Sequence, residues 1–286
     1  MEEQQHRRLS SPPPLSLPLS ITTATMMPRT AKLSDEEEAY FGGHSRATAA
    51  NRPWVTLTWA QSLDGMIAGR PGTQTYLSGI KSKAATHLLR SVHSAILVGG
   101  RTAQVDDPSL NCRYPGKDRS PRPVILDPSR VWQKPEKSTV LRLANDSQAS
   151  FPLVVRRSDD SGEEIGWPME TVKIEANATI PDGRKHIKWD DILAALHERH
   201  IGSIMIEGGA SIIRDLLKRP DLVDEVIITI APTFIGEQGV PIAPKGSENP
   251  ASLKNVRYLQ LGNDMMMTGQ LSSSSPRPMP PPRPSG

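Results

Sequence analysis

From about residue 52 to residue 271 the chain alternates two kinds of hydrophobic pattern. Trp54 to Trp59 (WVTLTW) has the β-branched and aromatic alternation of a strand. Ile80 to His93 has helical spacing, with Ala84, Leu88 and Leu89 on one face. Ala95 to Val98 (AILV), Pro123 to Leu126 (PVIL) and Leu153 to Val155 (LVV) are short apolar runs of the kind a buried parallel strand presents. Trp189 to Arg199 and Ser211 to Lys218 read as amphipathic helices, and between them Ser203 to Ile206 (SIMI) runs into the turn Glu207-Gly208-Gly209-Ala210. Strands alternating with helices predict an α/β sheet. Glu225 to Ile230 (EVIITI) and Asp264 to Leu271 have strand character with no helix between them, which predicts a closing antiparallel hairpin on a mainly parallel sheet. Asp127 to Gly183 is rich in charge, proline and serine, and apart from the Leu153 run no order of elements is assigned to it.

Both flanks lack such patterning. Residues 1–50 begin polar, pass through the proline-rich stretch Ser11 to Ser20 and contain the acidic run Asp35 to Glu38, so they read as a disordered tail. Residues 272–286 are serine and proline apart from two arginines, a methionine and the last glycine, and read as a second one. That leaves 51–271 as the folded domain. The 27 prolines and the 36% apolar content agree with a chain of which only part enters a core.

Charge and cysteine content narrow the function classes. A net charge of +3, from 34 basic and 31 acidic residues, argues against nucleic-acid binding. The single cysteine, Cys112, excludes an intrachain disulfide and a cysteine-cluster zinc site and reads as an inert loop thiol. No apolar run approaches the roughly 18 residues of a membrane span, and the N-terminus lacks a signal peptide's pattern. The expectation is a soluble cytoplasmic protein without membrane or nucleic-acid partners.

Three clusters carry candidate chemistry. In the turn Glu207 to Ser211, two glycines after a buried strand let the backbone approach a ligand, and the following helix offers unpaired N–H groups to a phosphate. Glycines also serve tight turns on steric grounds alone, and this is not the G-x-G-x-x-G fingerprint. The second pair, Gly99-Gly100, leads to Thr102 and Asp106, four apart and on one face if the piece is helical; from the spacing alone, a helix start with Asp106 and Asp107 capping the next turn before Pro108 is the reading preferred. The third cluster, Ala60 to Gly65, reads as a turn at the end of the first strand, and His87 and Arg90, one helical turn apart, read as solvated surface.

Taken in order, Val55 to Gly69, Leu77 to Gly79, His87 to Arg90, Ala95 to Arg113, Arg122 to Pro128, Ile204 to Ile213 and Val223 to Gly239 resemble the reductase family of riboflavin biosynthesis. The resemblance implies a dihydrofolate-reductase-like α/β fold, with helices on both faces of the sheet, and a homodimer. It implies NADPH-dependent reduction of the ribosyl side chain of a phosphorylated pyrimidine, with no metal. Bacterial members are fused to a zinc deaminase whose signature needs several cysteines, so this chain is similar to the stand-alone type that reduces 2,5-diamino-6-ribosylamino-4(3H)-pyrimidinone 5′-phosphate before deamination. Another NADPH reductase on the same fold, acting on a pterin, or a silent nucleotide-binding relative, are the alternatives.

Position by position, the resemblance places cofactor contacts at Ala60, Tyr76, Thr102, Asp106, Gly208, Gly209, Ala210 and Ser211. It places substrate contacts at Gln74, Arg90, Leu110, Arg113 and Glu207, the two arginines suiting a phosphate. Glu207 is the candidate catalytic residue, assisting ring opening of the ribosylamine or holding the sugar hydroxyls. One position departs from the bacterial pattern, with Thr58 where those members carry lysine. A further cofactor contact is expected between Asp127 and Arg184.

Overall fold

The computed structural model describes residues 31–42, 51–133, 135–162, 168–179, 185–243 and 251–272. In chain order the elements are α1 (Asp35–Gly42), β1 (Trp54–Gln61), α2 (Ile80–Val92), β2 (Ala95–Gly99), α3 (Gly100–Asp106), β3 (Arg122–Leu126) and α4 (Thr139–Asn145). Then follow β4 (Leu153–Arg157), β5 (Glu170–Ile174), β6 (Ala178–Thr179), β7 (Lys185–His186), α5 (Trp189–His197), β8 (Ser203–Gly208), α6 (Ala210–Leu216), β9 (Glu225–Ile230), β10 (Ser252–Leu261) and β11 (Asp264–Ser272). The main sheet has the order β10-β11-β9-β1-β8-β2-β3-β4-β5, while β6 and β7 pair separately. From β9 to β5 every pairing is parallel; β11 lies antiparallel to β9, and β10 antiparallel to β11.

Strand alternation divides the core between the two faces of the sheet. Val55, Leu57, Leu97, Ile204, Ile206, Val226 and Leu153 point to one face, where Ile192, Leu193 and Leu196 of α5 and Ile212, Ile213 and Leu216 of α6 cover them. Met205 and Ile227 point to the other, under Ala84, Leu88 and Leu89 of α2. On that same side Ile96, Val98, Ile125 and Val154 lie beneath Ala103 of α3 and Val140 of α4. Each fully buried aliphatic side chain contributes roughly 1.5–3 kcal/mol, so both faces stabilise the sheet.

Two features depart from the sequence reading. The Glu225 and Asp264 runs pair antiparallel as expected, but the tight hairpin is β10–β11, because β10 lies between them in the chain. Strand β10 was not predicted, because an edge strand with exposed residues on most of its length has no regular apolar alternation to betray it. The second departure is α1, which lies inside the stretch expected to be a tail. Its Phe41 and the preceding Leu33 are buried with α2 in the core cluster. Ser34 and Glu37 form a capping box, with Glu37 N–H on Ser34 Oγ at 3.2 Å and Ser34 N–H on Glu37 Oε2 at 2.8 Å. The acidic run is thus the first turn of a helix, where carboxylates complement the dipole. The remainder of 1–50 outside 31–42, and most of 272–286, lie outside the described residues.

Candidate active site at the carboxyl edge of the sheet

Parallel strands end together, and the cleft lies where those ends meet. It has a volume of about 1700 Å³ and is bounded by β1, the loop before α2, α2 itself, the β2–α3 and β8–α6 turns, and the residues after β3. That exceeds the roughly 300–1,000 Å³ of a pocket for one small ligand, and suits a dinucleotide and a second molecule together.

Glu207 owes its position to a break in the ladder. Leu97 pairs with Ile206 and Val98 with Gly208, so Glu207 has no register partner on β2. The bulge aims its side chain at α2. There Arg90 donates from Nε to Oε1 at 2.8 Å and from Nη2 to Oε2 at 2.7 Å, a bidentate pair, and from Nη1 to the Asn111 carbonyl at 3.1 Å. His87 and Arg90 are therefore not solvated surface. They are 6% and 9% exposed, because residues 109–114 fold back across α2 and cover that side of the helix.

Arg113 stands at the same end of the cleft. It donates to Ser109 Oγ and, at 3.0 Å, to Asn111 Oδ1, and among the described residues no carboxylate pairs with it. Burial, and Arg90 close by, push its guanidinium below the usual range. A bound anion would relieve both. Leu110 has φ at +51°, and its side chain is fully buried in the core rather than on the cleft wall, so a contact at this position falls to its backbone.

Along the rest of the cleft lie Ala60, Thr102, Asp106, Gly209, Ala210 and Ser211. Burial pushes the Asp106 carboxyl above its ordinary value. Gly208 sits behind the wall with φ at +100°, its Cα side filled by Ile213, and shapes the turn without lining the cleft. Gly209 has φ at +80°, and a Cβ there would stand 3.0 Å from Thr102 Oγ1. A side chain there would crowd the Thr102 hydroxyl, so the two turns meet closely, and the positive φ favours glycine. This cradle fits a nucleotide backbone. Gln74 and Tyr76, assigned to substrate and cofactor respectively, are joined on the rim, with the Tyr76 hydroxyl donating to Gln74 Oε1 at 2.8 Å. Tyr76 is 77% exposed, with Lys83 Nζ 5.2 Å above its ring.

Sequence reasoning passed over Asp127, which lines the cleft directly after β3. It is fully buried, bound to Arg156 Nη1 at 2.6 Å, and accepts from Val131 N–H at 2.8 Å and Trp132 N–H at 3.1 Å. A carboxylate at the carboxyl end of a parallel strand is a recognisable signal. Trp189 and His186, also on the cleft, carry no such signal.

A mainly parallel sheet, an antiparallel closing hairpin and a long polar cleft at the strand ends, with a bare-glycine cradle and an arginine-rich end, define an α/β domain of the reductase type. Residues 53–267 match the model of the RibD C-terminal domain. The chain belongs to that family. It is 38% identical over 231 residues to the 2,5-diamino-6-ribosylamino-4(3H)-pyrimidinone 5′-phosphate reductase of Debaryomyces hansenii, covering 78% of this chain and 91% of that one. The protein of the same name from Saccharomyces cerevisiae is 37% identical over 224 residues, covering 77% and 87%. Among solved structures, the Saccharomyces riboflavin biosynthesis reductase Rib7 superposes with a TM-score of 0.65 at 32% identity, covering 82% of this chain and 94% of that one.

Proposed function

We infer that this protein reduces 2,5-diamino-6-ribosylamino-4(3H)-pyrimidinone 5′-phosphate to its ribitylamino form with NADPH, acting as a homodimer in the cytoplasm. The observation that carries the reading is Arg113, a cation that no carboxylate among the described residues pairs, beside the Arg90–Glu207 pair at one end of a cleft whose other wall is the Thr102–Gly209 cradle. The names of the yeast relatives support the same substrate.

NADPH supplies the hydride when bound, and the residues that would hold it are Thr102, Asp106 and Gly209 to Ser211, with Ala60 and Tyr76 toward the substrate. Arg113 grips the 5′-phosphate. The ribosylamine opens to an imine as the C1′–O4′ bond breaks and the proton of the amine nitrogen passes to the ring oxygen; C1′ then accepts the hydride and the nitrogen takes a proton from solvent water. Both carboxyl oxygens of Glu207 already accept N–H bonds from Arg90, which fixes the carboxyl group in one orientation. Its remaining lone pairs face the cleft and accept from sugar hydroxyls, which holds C1′ in place. Arg90 acts chiefly by fixing Glu207, with three of its five N–H groups committed within the protein.

The test is oxidation of NADPH by the purified protein, followed by absorbance. Turnover is expected with the diaminopyrimidinone phosphate and not with its deaminated counterpart. Equal rates with both would overturn the order of reduction before deamination, and turnover of neither would overturn the reductase reading. Parallel runs with NADH decide the choice of cofactor.

A further inference from the structure

The loop that carries Arg113 has its own anchor. The backbone N–H of Arg113 donates to Nδ1 of His87 at 3.2 Å, and Cys112 Sγ donates to the His87 carbonyl at 3.2 Å. With Nδ1 accepting, the ring proton sits on Nε2. We propose that His87 is a positioning residue of the anion-binding end of the cleft, holding the Arg113 backbone so that its guanidinium stands beside the Arg90–Glu207 pair. This rests on reading Arg113 as the phosphate contact.

Three observations support it. His87 is 6% exposed and lines the cleft between Arg90 and Arg113, so it reaches the loop from the helix that also carries Arg90. The charged and titratable groups around it are Arg90 on its own helix, Cys112 and Arg113 on the covering loop, and Glu207 on β8 through Arg90. Burial first, then the two guanidiniums, push the imidazole down to about 3, so the ring stays neutral and Nδ1 stays an acceptor at physiological pH. A permanently cationic side chain here would repel both arginines, and an apolar one would leave the Arg113 N–H unpaired.

Two substitutions separate this role from simple packing. Asparagine places its amide oxygen where Nδ1 lies, whereas the amide oxygen of glutamine extends past that point. His87→Asn should therefore bind inorganic phosphate, as read by thermal shift and by competition, as the wild type does. His87→Gln should weaken that binding roughly five- to tenfold, the worth of one hydrogen bond. The substrate KM should rise by the same factor in His87→Gln, with the NADPH dissociation constant unchanged in both variants. Melting curves of both variants accompany the titrations. The proposal is overturned if His87→Gln binds phosphate like the wild type, or if His87→Asn is impaired as much as His87→Gln. Turnover of the pyrimidine phosphate with an unaltered KM in His87→Gln overturns His87 alone. A wild type that neither turns the substrate over nor binds phosphate overturns both readings.

Discussion

Gly99-Gly100 and Gly208-Gly209 look alike in the sequence, each pair ending a short apolar strand and starting a helix that opens on the cleft. Their reasons for being glycine differ. Gly99 has ordinary extended angles, φ −73° and ψ 152°, and what excludes a side chain from Gly100 is space: a Cβ would lie 2.4 Å from Asp127 Oδ1. At Gly209 the backbone itself, with φ 80° and ψ 147°, is nearly forbidden to other residues. One pair answers to a buried carboxylate at the end of the next strand, the other to its own local geometry. A glycine motif therefore reports a requirement without saying which.

The comparison can be broken by substitution. Gly100→Ala should have the largest effect, because Asp127 is the hub of a buried ion pair and two backbone bonds. Overpacking costs about 1–3 kcal/mol, and disturbing such a pair adds to it, so a loss of about 3 kcal/mol or more in urea unfolding is expected. A loss below about 1 kcal/mol would mean that the shell of Asp127 yields. Gly209→Ala should cost less stability, about 1–3 kcal/mol of backbone strain, and also abolish tight NADPH binding in fluorescence titration. Adding Thr102→Ala to Gly209→Ala should recover little of that stability, since the angle persists after the contact is relieved. Full recovery would show that contact, not conformation, demands glycine there. The smallest effect belongs to Thr102→Ala alone, which should weaken NADPH about threefold to tenfold through one lost hydrogen bond. Arg113→Ala is its control at the other end of the cleft. It should leave NADPH binding unchanged while raising the substrate KM about ten- to hundredfold, since one charge-assisted phosphate contact is worth roughly 1.5–3 kcal/mol. Equal weakening of NADPH by both substitutions would place Arg113 on a cofactor phosphate instead.

Much of the cleft was legible before the structure. The ends of β1, β2 and β8 are short apolar runs followed by polar or glycine residues, and once the sheet is parallel those ends must share an edge. Thr102 and Asp106 lie on α3 as their spacing predicted. The burial of Leu110 was not legible, because a left-handed φ redirects a side chain without leaving a mark on a leucine. The helix α1 was missed because eight residues with four acids have too little apolar content to stand out, although Leu33 and Phe41 find a core to enter.

By itself the sequence determined the alternation of strands and helices, the parallel character of the sheet and the positions of its glycine turns. These depend on periodicity and on residues a few places apart, where local sterics decide. Only the tertiary structure decided that Glu207 is turned by a bulge onto Arg90, 117 residues earlier, and that Arg113 is held by His87. It alone decided that Gly100 is bare for the sake of Asp127. Contacts between distant segments are set by which faces the packed sheet and helices bring together, and a buried polar group must find its partner there, since leaving it unpaired costs about 1–3 kcal/mol.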